Sequence, residues 1–355
     1  MNIPPYTEFR SMKPSQLAPF LRTEDSRIQS LIFAQQFSRD LIERLVRCAD
    51  QCRSLMLDRE GARFLKSRLA DKAVALYFPQ CSTRTFTSFS FAAQSLGMMV
   101  EEIRDTELSA MYKGESELDM LLTLSTLADA VVMRQMDAEV GLTLAYEIRK
   151  RGMQTKIINA GSGADQHPTQ ALLELYTLLS HFRETAAEFG DHPKTVSFVG
   201  DLKRSRTARS LCYLLGNYPK IKQVFVAPAE LQMESDLLGY LDECEVAYEC
   251  LESLDDVIGE SDAIYMMRIQ DEYSATSEEL RRRYEQYHLP VEKLNRMKST
   301  ACILHPLPRR AEIPIEIDYD SRAKYWDAVR CGKHMRMALL LHMFGRDDIS
   351  SASLF

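Results

Sequence analysis

The chain has 355 residues, of which 45% are hydrophobic and 27% are charged, an ordinary globular composition whose length predicts about two domains. Its formal net charge of −7 argues against a nucleic-acid-binding surface, since affinity for phosphate backbones needs clustered Lys and Arg. No apolar run approaches the roughly 20 residues of a membrane span, and the N-terminus lacks the basic and apolar regions of a signal peptide.

The eight cysteines form no CxxC pair, and several lie within apolar runs. This pattern favours reduced core residues of a cytosolic protein over a disulfide framework or a zinc site. Cys81, next to Ser82, could be a nucleophile, but a structural role in packing is the better interpretation. We therefore expect a cytoplasmic protein without a metal site.

In the first half of the chain, hydrophobic periodicity predicts alternating strands and helices. The first 25 residues contain four prolines and predict an irregular arm. Strands are predicted at 74–78, 98–103, 130–133 and 156–159. Helices are predicted at 38–55, 58–70, 87–97, 117–127, 138–151 and 171–182.

A turn-rich segment at 188–193 leads into a second series of strands and helices. Its strands are predicted at 195–199, 223–226, 245–249, 263–266 and 301–304, and the last helix at 333–344. Alternation of strands and helices predicts the α/β class, with parallel sheets covered by helices on both faces.

The segment Ser82-Thr83-Arg84-Thr85 comes where a predicted strand gives way to a predicted helix. The unpaired N–H groups and positive dipole end of a helix already attract anions. Arg84 and three hydroxyls added there make a phosphate cradle without the glycines of a P-loop. A helix N-cap beside a solvated arginine is the alternative interpretation of these four residues taken alone.

Polar residues recur beside other turns and strand ends. Lys113 opens a KGE segment that is predicted as a mobile loop, and Arg134 ends an apolar strand. His167 lies near a helix start, and residues 305–309 end the last predicted strand. Ligands of open α/β sheets bind outside the carboxyl ends of the strands, so these residues are predicted to line a site. Taken singly, each has a structural alternative, such as a core histidine or a surface charge.

Seven motifs occur in order: STRT at 82–85, KGE at 113–115, MR at 133–134, QHPTQ at 166–170, GDLKxxRT at 200–207, RxQ at 268–270 and HPLPR at 305–309. Together they resemble the aspartate carbamoyltransferase family, over nearly the whole chain from about Phe37 to Gly345. The resemblance implies two doubly wound parallel-sheet domains with the active site in the cleft between them. It implies a carbamoyl-phosphate domain at 1–180 completed by 330–355, and an aspartate domain at 190–328.

The resemblance implies transfer of a carbamoyl group from carbamoyl phosphate to the amine of L-aspartate, with no metal or cofactor. The residues implied to bind carbamoyl phosphate are Ser82, Thr83, Arg84, Thr85, Arg134, His167, Gln170, Pro306 and Leu307. Those implied to bind aspartate are Ser109, Lys113, Arg206, Arg268 and Gln270. Among these, Arg84, Thr85, Lys113, Arg134, His167 and Gln170 are implied to be catalytic. Thr85, Arg134 and His167 are implied to donate toward the carbamoyl oxygen.

The family's mobile loop usually reaches a neighbouring subunit, so the resemblance implies a homotrimer with shared sites. It leaves open whether a regulatory chain or a dihydroorotase associates with the trimer.

The sequence also departs from the family pattern. Gln80 and Tyr273 replace a glutamate and an arginine, and Phe86 and Ser90 follow STRT where the family has arginine and glutamate. We expect an active enzyme, because every residue that matches a direct ligand is present. The alternatives are a transferase for another acceptor, such as ornithine, and a weakly active or partner-dependent homologue. A non-catalytic anion-binding subunit is disfavoured, because His167 and other carbamoyl-orienting residues are retained.

Overall fold

A computed structural model describes residues 3–80, 82–104, 114–163, 165–185, 193–268 and 284–349. The chain forms two compact units, each with its own five-stranded sheet. The first unit comprises Met1–Leu172 and Gly332–Phe355, and the second comprises Leu173–Cys331.

The first unit contains a fully parallel sheet. Its strands are β1 (Ser30–Leu31), β2 (Ala73–Tyr77), β3 (Met99–Ile103), β4 (Ala130–Gln135) and β5 (Lys156–Ser162). Their order across the sheet is β1-β5-β4-β2-β3. The chain passes from β2 to β3 on one side and then to β4 on the other, so the β2/β4 boundary is a topological switch point. Ligands of open α/β sheets bind outside the strand ends at such a point.

Helices cover the sheet of the first unit. They are α1 (Tyr6–Phe9), α2 (Pro14–Leu17), α3 (Arg39–Leu55), α4 (Arg59–Ser67), α5 (Thr83–Ser95), α6 (Glu117–Leu127) and α7 (Ala138–Lys150). Four of these starts follow from local chemistry, because a side-chain oxygen accepts from a first-turn N–H. The capping residues are Ser38, Asp58, Ser116 and Asp137.

The N-terminal arm is more ordered than the prolines predict. Helices α1 and α2 and a 3-10 turn at Ala18–Leu21 replace the expected irregular segment. Phe9 is fully buried, and its ring centroid lies 5.2 Å from that of Tyr146 in α7. The prediction of an irregular arm was wrong. The arm is ordered by contacts with aromatic residues far away in the chain, and its helices are too short to show a hydrophobic period. Strand β1 was also missed, since two residues carry no periodicity.

The second unit repeats the design of the first. Its strands are β6 (Lys194–Val199), β7 (Ile221–Val226), β8 (Tyr248–Leu251), β9 (Ala263–Met266) and β10 (Cys302–Leu304), again all parallel. The order β10-β9-β6-β7-β8 places a switch point between β6 and β9. The α/β prediction, with two doubly wound parallel sheets, is confirmed.

The remaining helices are α8 (Pro168–Thr185), α9 (Arg206–Leu215), α10 (Ser235–Glu243) and α11 (Tyr325–Met343). Several predicted boundaries differ from the observed ones. The last helix begins at Tyr325 rather than at 333, α5 begins at Thr83 rather than at 87, β5 runs to Ser162 rather than 159, and β8 spans Tyr248–Leu251 rather than 245–249. No helix in the described ranges is both long and apolar enough to cross a membrane.

The seven described cysteines are all free. Four are buried, namely Cys48, Cys52, Cys212 and Cys302. Cys244 and Cys331 are half-buried and Cys250 is exposed, so the prediction that these three are core residues was wrong. The apolar positions around them belong to amphipathic elements, which have a solvent-facing side. Cys81 lies outside the described residues.

Candidate active site

The STRT segment follows β2 and begins α5. Ser82 holds the N-cap position, but its hydroxyl makes no capping hydrogen bond to the first turn, unlike the capping serines of α3 and α6. Ser82 is thus the N-cap residue by position, but its hydroxyl is not used for capping. Arg84 is exposed, yet the surrounding protein desolvates its guanidinium enough to lower its pKa. This helix start combines free N–H groups with an arginine, as an anion site requires.

Thr85 and His167 are both buried and lie against each other. The distance between Thr85 Oγ1 and His167 Nε2 is 3.3 Å. Gln166 anchors the loop that carries the histidine, because its Oε1 accepts from Ala34 N at 2.7 Å and its carbonyl accepts from Ser162 N at 3.0 Å. Hydrogen bonds to Ala34 and Ser162 therefore fix Gln166, the residue that precedes His167 at the start of α8.

Arg134 is half-buried at the penultimate position of β4. The pairing register with β5 shifts between Met133 and Gln135, so Arg134 lies at an irregularity of the strand. Strand β4 lies between β2 and β5. The carboxyl ends of three adjacent parallel strands therefore deliver Thr85, Arg134 and His167 to one edge of the sheet.

Gln170 lies in the first turn of α8, where its N–H donates to the carbonyl of His167 at 3.0 Å. The amide side chain is half-buried. The helix start thus fixes the spacing between the histidine and the glutamine, which lie about one turn apart.

In the second unit, Arg206 and Arg268 follow the two strands at the switch point. Arg206 is the first residue of α9, whose N-cap Ser205 accepts from Ala208 N at 3.2 Å. Arg268 comes two residues after β9. Gly200 has φ +116°, and a Cβ there would overlap the carbonyl oxygen of Met267. Glycine therefore permits the loops after β6 and β9 to touch, which keeps both arginine-bearing segments at the same edge.

The HPLP turn after β10 is organised by a neutral histidine. Leu307 N donates to His305 Nδ1 at 2.7 Å, so His305 Nε2 must carry the proton that is donated to Glu312 Oε1 at 2.8 Å. Burial alone would raise the pKa of Glu312, but hydrogen bonds from His305 and from Arg310 N lower it. Leu307 has φ +56°, a left-handed conformation that is uncommon for leucine. This network holds the turn that carries the carbonyls of Pro306 and Leu307.

Arg309, the last residue of the HPLPR motif, has a structural role. Its guanidinium forms a two-pronged pair with the carboxylate of Asp318 and donates to Tyr325 Oη at 3.0 Å. The hydrogen bond from Arg309 lowers the pKa of Asp318 to about 2. Sequence reasoning could not reveal this pairing, because the partner lies in an irregular segment without a motif.

The replacements beside STRT have partners that sequence reasoning missed. The ring of Phe86 packs edge-on against Phe78 at 5.4 Å between centroids, and the Arg104 guanidinium lies 4.4 Å from its centroid. Ser90 Oγ donates to Glu102 Oε1 at 3.3 Å. Glu102 in β3 therefore lies beside Ser90, and Arg104, just after β3, lies beside Phe86. These are the two positions of helix α5 that lack the family's glutamate and arginine.

Several predicted site residues lie outside the described residues. They are Ser109, Lys113 and Gln270. Tyr273, one of the departures from the family pattern, also lies outside them. Within the described ranges, no group of three or more His, Cys, Asp or Glu side chains could hold a metal ion.

Arginines and hydroxyl residues lie at the switch points of two open parallel sheets, which defines a doubly wound α/β protein of the class that binds its ligands outside the strand ends. Residues 29–180 match the model for the "Aspartate/ornithine carbamoyltransferase, carbamoyl-P binding domain". Residues 192–343 match that for the "Asp/Orn binding domain" of the same proteins. The chain belongs to the aspartate/ornithine carbamoyltransferase family.

Curated relatives include catalytic subunits and multifunctional proteins. The aspartate carbamoyltransferase catalytic subunit of Clostridium novyi is 34% identical over 317 residues, which are 89% of this chain and 98% of that protein. The multifunctional protein CAD of Squalus acanthias is 34% identical over 90% of this chain, but the match spans 13% of that protein. The similarity therefore spans nearly the whole of a catalytic subunit and a small part of a larger protein.

Solved structures agree with this assignment. Aspartate transcarbamoylase of Trypanosoma cruzi in complex with carbamoyl phosphate and aspartate matches with TM-score 0.75 and 32% identity, over 88% of this chain and 95% of that one. The catalytic subunit of M. Jannaschii aspartate transcarbamoylase matches with TM-score 0.79 and 32% identity, over 91% of this chain and 100% of that one. The fold thus matches that of two aspartate transcarbamoylases.

Proposed function

We propose that this chain is an aspartate carbamoyltransferase that transfers the carbamoyl group of carbamoyl phosphate to L-aspartate, giving N-carbamoyl-L-aspartate and phosphate. This reaction is an early step of de novo pyrimidine biosynthesis. The observation that carries the proposal is the meeting of Thr85 and His167, 3.3 Å apart, at the edge to which β4 brings Arg134. Relatives crystallised with carbamoyl phosphate and aspartate support the choice of substrates.

The phosphate of carbamoyl phosphate is assigned to Ser82, Thr83, Arg84 and Thr85, with Arg134 beside them. The Ser82 hydroxyl, which does not cap the helix, and the helix start supply donors for its oxygens, and Arg84 supplies charge. Burial lowers the pKa of Arg84, but an arginine stays charged at neutral pH. The site therefore collects positive charge locally within a protein of net charge −7.

The carbamoyl oxygen is assigned to Thr85, Arg134 and His167. When the aspartate amine attacks the carbamoyl carbon, the C=O π electrons move onto this oxygen, and three donors can stabilise the new charge. Gln170, one turn into α8, is assigned to the carbamoyl nitrogen. The carbonyls of Pro306 and Leu307 are assigned to the carbamoyl NH₂ and the incoming amine, which they orient as acceptors.

The two carboxylates of aspartate are assigned to Arg206, Arg268 and Gln270, with Ser109 and Lys113 from the loop. Planar guanidinium groups suit bidentate binding of carboxylates. A cationic acceptor such as ornithine would be repelled by the two arginines, which favours the dicarboxylate.

The reaction needs no covalent enzyme intermediate. A C–N bond forms between the aspartate amine and the carbamoyl carbon, and the bond from that carbon to the phosphate oxygen breaks with its electrons on phosphate. The departing phosphate takes the amine proton, so atoms and charges balance. The residues of this chain contribute by positioning two anions and by stabilising the transient oxyanion.

Steady-state kinetics tests the proposal. The purified chain should form carbamoyl-aspartate from carbamoyl phosphate and L-aspartate, with little or no product when L-ornithine replaces aspartate. Product formed with ornithine but not with aspartate would show that the acceptor is not aspartate. No turnover with either acceptor, while carbamoyl phosphate still binds, would favour the weakly active or partner-dependent alternative.

The proposal includes a cytoplasmic homotrimer in which Ser109 and Lys113 serve a neighbouring subunit. Free thiols at all seven described cysteines suit a reducing compartment. Complementation tests the shared site: Lys113→Ala and Arg84→Ala chains should each be inactive and regain activity when dissociated and reassembled together. Mixed trimers would contain sites without either change. No gain above the separate variants, with trimers present, would contradict sharing between subunits.

A further inference from the structure

A polar cavity lies at the opposite edge of the first sheet from the proposed active site. Its volume is about 1070 Å³, and its wall includes Gln29, Lys72, Asp129 and Lys156. These residues immediately precede or begin β1, β2, β4 and β5, so the cavity lies below the amino ends of four neighbouring strands. Strands of five to seven residues separate it from the Thr85–His167 edge by about 20 Å, since each residue rises about 3.3 Å.

The wall is rich in cations, most of which have carboxylate partners. Lys72 Nζ lies 3.3 Å from Asp129 Oδ1, and Arg27 Nη2 lies 2.9 Å from Asp25 Oδ2. Arg346, also on the wall, forms a two-pronged pair with Asp71 just outside it. These pairs neutralise three of the five positive charges on the wall, which also carries the exposed carboxylate of Glu24.

Two cations of the wall, Lys156 and Arg149, belong to no ion pair among the described residues. Arg149 Nη1 donates to the carbonyl of Arg22 at 3.5 Å, a contact with a neutral group. Lys156 is 8% exposed, and its backbone N–H is bonded to the carbonyl of Asp129 at 2.9 Å. A largely buried lysine that forms no ion pair, with Asp25 acting on it only at a distance, is a costly arrangement.

The surroundings act on Lys156 in the direction expected for such a group. Burial lowers the pKa of its ammonium, and the neighbouring charges of Arg27 and Lys72 lower it further, while Asp25 raises it.

We propose that this cavity binds a small phosphorylated molecule whose phosphate, with about two negative charges, pairs with Lys156 and Arg149. A phosphate monoester carries about −1.5 to −2 charges near neutral pH, which matches the two cations that lack carboxylate partners. The volume is that of pockets that enclose whole organic ligands rather than single ions. The side chains of Thr155, Ser125 and Gln29 on the wall donate to the backbone carbonyls of Ser125, Leu121 and Met153, so they hold the wall in place.

Glucose 6-phosphate is a suitable probe, with glucose as its uncharged counterpart. Calorimetry would be performed on the Arg84→Ala chain, so that phosphate binding at the STRT segment is weakened. In that background, Lys156→Met should raise the dissociation constant of glucose 6-phosphate about tenfold or more, because a charged hydrogen bond in a low-dielectric site is lost. Lys66→Met removes an exposed lysine elsewhere in the same unit and should leave the constant within about twofold.

Folding is checked by thermal unfolding, and Lys156→Met should be at least as stable as its parent, since it replaces a desolvated charge with an apolar side chain of similar length. If Lys156→Met fails to fold, Arg149→Met replaces it in the same binding experiment, since Arg149 is the other cation of the wall that forms no ion pair. Saturable binding that weakens in either cavity variant and not in Lys66→Met supports the proposal. Equal affinity in all variants, equal binding of glucose, or no saturable binding of glucose 6-phosphate overturns it.

Discussion

Thr85 Oγ1 and His167 Nε2 lie 3.3 Å apart, although 82 positions separate the two residues in the chain. They meet because β2 and β5 flank β4, so the segments after all three strands reach one edge of the sheet. Both side chains are buried, which strengthens any hydrogen bond that they donate to a substrate oxygen. This pair is therefore the most direct test of the proposed oxyanion site.

Replacing Thr85 with valine should lower kcat about 10²-fold to 10³-fold while changing carbamoyl phosphate binding much less, because the donor acts on charge that develops during reaction. Thr87→Val, a change of the same type on the same helix, should stay within about twofold. Steady-state kinetics with binding of carbamoyl phosphate measured separately distinguishes the two. Equal losses in both variants would show a general effect on α5 instead.

Replacing Arg206 or Arg268 with methionine should raise KM for aspartate by about 10-fold to 100-fold, since a charge-assisted hydrogen bond is worth about 1.5–3 kcal/mol. Binding of carbamoyl phosphate should remain near that of the unmodified chain. Arg296→Met, which breaks a surface pair with Asp255, serves as the control. A loss confined to carbamoyl phosphate binding would contradict the assignment of these arginines to aspartate.

Replacing Asp318 with asparagine should lower the free energy of unfolding by about 1–2 kcal/mol at neutral pH, because the variant loses the charged pair with Arg309. The hydrogen bond from Arg309 lowers the pKa of Asp318 to about 2. The contribution is therefore fully present above the ordinary carboxyl pKa of about 4 and is lost as pH falls through about 2. Denaturant unfolding at several pH values measures it, and the two chains should converge in strong acid.

An exposed carboxylate provides the control for that prediction. Asp255→Asn removes a surface partner of Arg296 and should change stability by less than about 1 kcal/mol. If Asp255→Asn lowers the free energy of unfolding as much as Asp318→Asn does, the two-pronged geometry of the Arg309 pair adds no stability beyond that of a surface pair.

Replacing His334 with glutamine should flatten the pH dependence of stability between about 4 and 6.5. Burial first, and then the charges of Lys333 and Arg53, lower the pKa of His334 to about 4, while Asp50 opposes them. The unfolded chain takes up this proton below about 6.5 and the folded chain only near 4, so stability falls as pH decreases through this window. Allowing for partial solvent screening, the difference amounts to about 1–2 kcal/mol at pH 4.

Urea unfolding of both chains from about pH 7.5 to about pH 4 measures the effect of His334. Two other histidines with lowered pKa, the buried His181 and the half-buried His288, are present in both chains and leave a shared slope. Parallel curves for the two chains would contradict the prediction.

Replacing Gly200 with alanine should destabilise the protein by more than about 2 kcal/mol, because its φ of +116° and the Met267 carbonyl both oppose a Cβ. A Cβ added at Gly239 in α10 would meet no atom within 4 Å, so Gly239→Ala should stabilise by about 0.5–1 kcal/mol. Thermal unfolding of the two variants compares them directly. Similar Tm values would show that the loops after β6 and β9 adapt readily.

Local signals explain why most elements could be predicted. The helix at Glu117–Leu127 and the strand at Ala263–Met266 coincide with the predicted bounds, since capping residues and short apolar runs act within a few positions. The motifs that mark the site also lie at strand ends, where chain-local patterns change from apolar to polar. Their assembly could be anticipated only because parallel strands bring all such ends to one edge.

Other features depend on contacts between distant residues. The order of the N-terminal arm comes from Phe9 packing on Tyr146, and the role of Arg309 comes from Asp318. The proton position of His305 follows from two partners that only the folded turn supplies. None of these pairings can be recognised from residue type, because at least one member of each lies in a segment without periodicity.

Local pattern and motif order were enough to establish the fold class, the strand ends and the residue types available for binding two anions. Three further features emerged from the folded chain alone: which of those residues touch, which arginines are committed to carboxylates, and that Lys156 lines a cavity at the far edge of the sheet. This division arises because hydrogen bonds and ion pairs act over a few ångströms. Neighbours at that range are set by strand order and not by separation along the chain.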